Sequence, residues 1–286
     1  MLIAFASDYG LQDEFVGVCK AVMLGVAPGT EILDIGHEIP AHDVRAGSLM
    51  LVRAVQYLPD DTIVVAVVDP GVGTDRRLVA VEVAGGVLLG PDNGLLAPAT
   101  AMIGGPQRVV SLENPEFQLQ APGPTFAGRD VLAPAAGHLA AGVPLDALGP
   151  AVDPVTLMPG MVSLPNIDDD GAIVAEVWWV DRFGNCQLNV DPDGLLESGT
   201  RPGDRVEVRC PGGTRAARWV RTYADAKPSE LAVIVDSYGL LSLALDRDSA
   251  ATALGLRAGS PVTLVTEGAG GTRVQIPLGP TPGATR

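Results

Sequence analysis

Thr62-Ile63-Val64-Val65-Ala66-Val67-Val68-Asp69-Pro70-Gly71-Val72-Gly73-Thr74-Asp75-Arg76-Arg77 is the stretch on which the reading of the fold turns. Residues 62–68 are a nearly continuous run of β-branched and small apolar side chains, as in a central strand buried on both faces. The run ends at a carboxylate, a proline that fixes φ, and glycines that let a backbone come close to a ligand. Asp69 and Arg76 are read as the working pair of this loop. On these residues alone, a tight connection capped by Asp69 is the alternative.

Upstream, residues 2–7 read as a strand ending in the turn Asp8-Tyr9-Gly10, and 13–26 carry Phe15, Val18, Cys19, Val22 and Val26 at helical spacing. Residues 31–35 predict a second strand and 43–57 a second helix. Downstream, 78–83 and 87–89 predict a strand pair and 131–141 a last helix. The β-α-β-α-β order implies an α/β domain, a mainly parallel sheet with flanking helices and right-handed crossovers. Ligands bind such sheets beyond the carboxyl ends of the strands. Asp8 and Asp69 each follow a predicted strand, so both are expected in one crevice.

Pro150, Pro154, Pro159 and Pro165 interrupt the pattern. The expected division is an N-terminal α/β domain over 1–152, a linker over 153–165 and a small C-terminal β-barrel domain over 166–286. Short strands are predicted there at 172–180, 205–209, 231–235, 240–245, 262–265 and 274–276, separated by turn residues.

Composition narrows the function. A formal charge of −15 repels phosphate, so neither nucleic acid nor an anionic membrane is an expected partner. No apolar stretch approaches the roughly 18 residues of a membrane span. Cys19, Cys186 and Cys210 are odd in number and lack C-x-x-C spacing, which predicts free thiols in a reducing cytoplasm and no zinc site. The histidines His37, His42 and His138 also lack metal spacing and read as structural or surface residues. G-x-G-x-x-G after the first strand, G-x-x-x-x-G-K-[ST] and G-x-S-x-G are all absent, against ordinary nucleotide sites and serine esterases.

What remains is a series of polar residues in Gly-rich settings. Gly90-Pro91-Asp92-Asn93-Gly94 is a second turn, where Asp92 could cap the following helix. Thr125-Phe126-Ala127-Gly128-Arg129-Asp130 leads into the last helix, with Asp130 as a candidate cap. In Asp181-Arg182-Phe183-Gly184-Asn185, a ring that stacks and an amide that reads a base edge suit adenine, and a plain turn fits equally. Asp236-Ser237-Tyr238-Gly239 reads as a hairpin turn.

In this order, A-S-D-Y-G, D-I-G-H-E-I-P, V-V-D-P-G-V-G-T-D-R-R, G-P-D-N-G-L-L, T-F-A-G-R-D, D-R-F-G-N and S-Y-G resemble the S-adenosyl-L-methionine (SAM) hydroxide adenosyltransferase family over essentially the whole chain. Its relatives include halogenating enzymes. The resemblance implies a trimer with active sites at subunit interfaces and water attack at C5′ of SAM, giving adenosine and L-methionine. SAM is then the substrate, and neither cofactor nor metal is expected. By matching positions, Asp8 holds the ribose hydroxyls and Phe183 and Asn185 contact adenine. Asp181, Ser237 and Tyr238 hold the methionine end, and Phe126 belongs to the substrate-binding set. Asp69 and Arg76 are two of three residues that position the hydroxide.

Three positions separate this chain from relatives. Halogenating members carry tyrosine and threonine where this chain has Asp69 and Val72, and they have a longer loop that is missing here; a carboxylate beside the nucleophile repels a halide. Where the family's third residue is histidine, this chain has Ala127, which holds no proton. Hydrolysis, impaired or sustained by Asp69 and Arg76 alone, is the leading expectation. A non-catalytic SAM- or adenosine-binding protein is the alternative, and chloride-dependent adenosyl transfer ranks below both.

Overall fold

The computed structural model describes residues 1–266, so the strand expected at 274–276 lies outside the described residues. The chain divides into two compact units, Met1–Val162 and the part from Ser163 onward.

The first unit runs β1 (Leu2–Ser7), α1 (Phe15–Val26), β2 (Glu31–Gly36), α2 (Val44–Val55), β3 (Thr62–Val67), β4 (Leu78–Val83), β5 (Gly86–Pro91), α3 (Ala97–Met102) and β6 (Arg108–Ser111). A π-helical turn, Gly128–Leu132, then leads into α4 (Ala133–Ala140). The six strands lie in the order β2-β1-β3-β5-β4-β6. β2, β1, β3 and β5 pair in parallel. β4 runs antiparallel to both β5 and β6, so the parallel sheet carries an antiparallel margin. β6 escaped the sequence reading because its four residues are too few to show a period.

Every residue of β3 is buried, as its unalternating composition requires. Ile63, Val65 and Val67 pack with Ile3, Phe5, Cys19 and Met23 and with Leu132, Ala136 and Leu139. Burying side chains of this size contributes about 1.5–3 kcal/mol each. The last helix is two elements rather than one. Asp130 lies inside the π turn and ion-pairs with Arg129, so it caps nothing.

In the second unit the elements are β7 (Asn166–Ile167), β8 (Ile173–Val180), β9 (Cys186–Leu188), α5 (Pro192–Glu197), β10 (Arg205–Cys210), β11 (Gly213–Trp219), β12 (Leu231–Val235), β13 (Leu241–Ala244), α6 (Ala250–Leu254) and β14 (Pro261–Thr266). The order β14-β10-β11-β12-β13-β9-β8-β7, with β14 also pairing β8, closes a seven-stranded barrel and leaves β7 appended to β8. Val177, Leu188, Val206, Val208, Val233, Leu243 and Leu264 fill its interior. β11 was not predicted because Thr214, Arg215 and Ala216 are all exposed and polar or small, which blurs the alternation.

The proline-rich stretch expected as a linker is tied to the first unit. The Arg77 guanidinium donates to Thr156 O at 2.8 Å, and Met158 N donates to Asp92 Oδ1 at 2.8 Å. Asp92 also takes Arg77 Nη2 at 2.6 Å. It therefore anchors that stretch, while Leu96 takes the N-cap position of α3 without a side-chain bond.

Candidate active site

β1 and β3 are parallel neighbours, so Asp8 and Asp69 follow adjacent strands at one edge of the sheet. Asp8 N donates to Val67 O at 3.1 Å, which locks the two strand ends together. The Asp8 carboxylate accepts His42 N at 2.8 Å. His42 holds φ at 67°, a left-handed conformation that a non-glycine residue adopts at a cost of about 1–3 kcal/mol.

Asp69 and Arg76 form a bidentate pair, Nε to Oδ1 at 2.5 Å and Nη2 to Oδ2. Both side chains are largely withdrawn from solvent. The loop between them is closed by Val72 N to Asp69 O, Thr74 N to Gly71 O, and Thr74 Oγ1 to Gly71 O. A fork-to-fork pair of this kind is both stronger and more directional than a neutral hydrogen bond. Ala127 is buried and lines a cavity of about 580 Å³ together with Arg76, Thr74, Asp75, Pro124 and Asp130. Ala127 and Arg76 thus line the same open volume.

Phe126 is in an edge-to-face cluster with Tyr9 and Phe15, at centroid separations of 5.6 and 5.2 Å, and Arg129 lies 4.8 Å from its ring centroid. Tyr9 was missed by the sequence reading. Burial, followed by coupling to Cys19, Asp8 and Asp69, pushes its phenol well above the ordinary range, with Arg76 pulling the other way. Tyr9 is therefore a neutral hydroxyl within the electrostatic reach of both Asp8 and the Asp69–Arg76 pair.

The second unit builds one turn twice. Asp181 Oδ1 accepts Phe183 N and Asn185 N, both at 2.9 Å, and Asp236 Oδ1 accepts Tyr238 N at 2.8 Å and Leu240 N at 3.2 Å. In both turns the fourth residue is a glycine at positive φ, 83° at Gly184 and 81° at Gly239, where an L side chain is strained. The effect is to hold Phe183 and Tyr238 outward, 71% and 47% exposed. Asn185 Nδ2 donates to Asp181 Oδ2 at 2.8 Å, and Gln187 Nε2 to Asp236 Oδ2 at 2.6 Å. Each carboxylate thus takes three donors and keeps capacity for about one more. Ser237 is exposed in its turn.

Asp181, Phe183 and Asn185 line a cavity of about 680 Å³ with Tyr223 and residues 245–249. Burial, then the charges of Asp181 and Asp236, raises the Tyr223 phenol. Neither Tyr223 nor the 245–249 segment showed a motif; only the folding of the barrel brings them to Phe183.

The chain matches the model of the SAM hydroxide adenosyltransferase N-terminal domain over residues 3–149 and that of the C-terminal domain over 175–263. It belongs to the SAM hydroxide adenosyltransferase family. Within the family, the (R)-S-adenosyl-L-methionine hydrolase of Salinispora tropica is 44% identical over 257 residues, covering 90% of this chain and 95% of that protein. A fluorinase from an Actinoplanes species is 28% identical over 289 residues, covering 92% and 97%. The crystal structure of an uncharacterized conserved protein from Thermotoga maritima aligns with a TM-score of 0.86 at 32% identity, over 92% of this chain and all of that one.

Proposed function

We propose that the chain hydrolyses SAM to adenosine and L-methionine. The observation that carries the proposal is the bidentate Asp69–Arg76 pair at the carboxyl end of the central strand, one strand away from Asp8. The leaving group is a neutral thioether departing from a sulfonium, so no acid is needed to expel it. Water oxygen bonds to C5′ while the C5′–S electron pair goes to sulfur, and one water proton is released. Asp69 supplies the carboxylate that takes that proton, and Arg76 stabilises the developing hydroxide. Holding water in line with C5′ supplies much of the remaining acceleration.

Asp8 holds the ribose hydroxyls, and Phe183 and Asn185 hold adenine. Asp181, with Ser237 and Tyr238, takes the methionine end, with Phe126 completing the set. The spare acceptor capacity of Asp181 suits an ammonium group. The reaction needs neither cofactor nor metal, because water is the only co-reactant. The substrate is the (R) sulfonium epimer, as named for the Salinispora tropica enzyme. The assembly is a homotrimer with active sites at subunit interfaces, which sedimentation equilibrium would report as three chain masses. It works in the cytoplasm, where Cys19, Cys186 and Cys210 stay as thiols.

One observation favours a second reading. Ala127, in the same cavity as Arg76, carries no group that accepts a proton, which fits a protein that binds SAM without turning it over. Incubation with SAM, with adenosine and methionine followed by chromatography beside a calorimetric titration, separates the two. Stoichiometric products support hydrolysis; binding without product supports the second reading. Release of 5′-chloro-5′-deoxyadenosine in chloride would overturn both.

A further inference from the structure

One chain of hydrogen bonds in the first unit is not used by the proposed chemistry. The Ser7 hydroxyl and His37 Nδ1 are 2.7 Å apart, and His37 Nε2 is 3.0 Å from Asp34 Oδ1. Lys20 Nζ donates to Asp34 Oδ2 at 2.6 Å. A carboxylate only accepts, so Nε2 carries a proton and donates to Asp34; in the neutral ring that tautomer leaves Nδ1 to accept from Ser7. Ser7 Oγ in turn accepts Tyr9 N at 3.4 Å. From Tyr9 N through Ser7 and His37 to Asp34 the links point the same way, and Lys20 donates into Asp34 from the other side; aligned links polarise one another.

The outer end of this chain is wet and the inner end is dry. The side chains of Lys20 and Asp34 are 29% and 46% exposed, against 2% for His37. Ser7 is fully buried. The Phe5 ring packs against the imidazole edge-on, with centroids 4.7 Å apart. The arrangement resembles a serine nucleophile with its histidine, but a hydroxyl without solvent access attacks nothing.

The chain's position shows what it does. Ser7 and His37 stand just at the ends of β1 and β2, and between them hangs the turn that carries Asp8. The His37 carbonyl accepts Gly10 N at 2.7 Å, so His37 grips the turn on both sides of Asp8, through its ring at Ser7 and its backbone at Gly10. Five residues on, the same loop returns as His42, whose left-handed backbone aims its N–H at Asp8 Oδ2. One carboxylate oxygen is thereby committed to the loop and the other remains an acceptor. A strained residue survives only where its surroundings over-determine it, and here the His37 latch holds the loop that carries it.

We infer that His37 is a positioning residue: through Ser7 and the 37–42 loop it sets the Asp8 carboxylate for the two ribose hydroxyls of the substrate. The inference rests on the reading of Asp8 as the ribose-binding group. It makes His37 a determinant of discrimination between ribose and deoxyribose, although it touches no substrate.

The test compares the binding of adenosine and 2′,3′-dideoxyadenosine by calorimetry. Hydroxyl-to-carboxylate hydrogen bonds give the unmodified protein a preference of about tenfold to a hundredfold for adenosine. Asp8→Ala abolishes that preference. His37→Leu reduces it at least about fivefold while leaving dideoxyadenosine binding unchanged, a pattern that general loosening of the fold does not produce. His37→Asn, which keeps an acceptor for Ser7, restores most of it. Ser7→Ala adds no volume to its buried site and gives the same answer if His37→Leu does not fold. If Asp8→Ala abolishes the preference while His37→Leu or Ser7→Ala leaves it intact, the positioning role is overturned and the ribose assignment stands. If Asp8→Ala leaves the preference intact, the ribose assignment fails, and the inference fails with it.

Discussion

Asp69 gives both carboxylate oxygens to Arg76, and this single geometry constrains substitution at either residue. Asp69→Asn keeps the shape but removes the charge that orients the guanidinium and takes the proton. The turnover rate should fall by about 10² to 10⁴ while SAM affinity changes little; steady-state kinetics with a direct binding titration reads both. Arg76→Lys replaces a planar fork with a point charge and should lower the rate at least about tenfold, without matching loss of affinity. Ala127 is the opposite case, a residue with no group to move a proton. The cavity of about 580 Å³ that it lines with Arg76 has the volume for an imidazole. Ala127→His should raise the hydrolysis rate by about 10² to 10⁴, and an unchanged rate would show that the position carries no chemistry.

At the scale of elements, the π turn Gly128–Leu132 packs closely against Tyr9. A Cβ on Gly128 would stand 2.0 Å from Tyr9 Oη and 3.0 Å from Tyr9 Cζ. Gly128→Ala therefore forces the ring or the turn to move, costing about 1–3 kcal/mol of stability in a denaturant titration. Because the nearer clash is with the hydroxyl, Tyr9→Phe in the same chain should recover part of the loss, as a coupling of about 0.5 kcal/mol or more. Purely additive effects would mean that the turn, not Tyr9, absorbs the change. The elements also show what the sequence pattern could and could not reveal. β3 was legible because a strand buried on both faces has no alternation to lose. β9, with three residues, and β11, whose first four residues are exposed, were not, since pairing with neighbours defines them.

For the whole molecule, the three cysteines report on both units at once. Burial pushes the Cys19 and Cys186 thiols up to about 12, in the first and second unit respectively, while Cys210 is partly exposed. A disulfide reagent at pH 8 should label Cys210 alone in the native protein and all three thiols after unfolding. The sign of the pH dependence follows from the same shifts. A thiol whose folded pKa lies above its unfolded value near 9 adds stability that is complete below pH 9 and lost as pH rises toward about 12. Both units should thus weaken together on the alkaline side; early labelling of Cys19 or Cys186 at pH 8 would contradict it. No helix among the described residues is long and apolar enough to cross a membrane.

The sequence by itself determined the strand that buries on both faces, the carboxylates that end it and its neighbour, and the glycine-bearing turns of the barrel. Local composition decides each of these, through steric limits on φ and the need of an apolar run to leave water. It also carried the family, since the motifs lie in order along one chain. The tertiary structure decided which groups meet. That Asp69 takes Arg76 in a fork, that Asp92 holds residues 156–158, and that Ser7, His37 and Asp34 form one line of hydrogen bonds are facts of strand order and register. Those partners are 7, 66 and 30 residues apart in the chain for the first three contacts. The loop's own turns bring Asp69 to Arg76, whereas for the other two contacts folding of the sheet, not the local chain, brings the groups together.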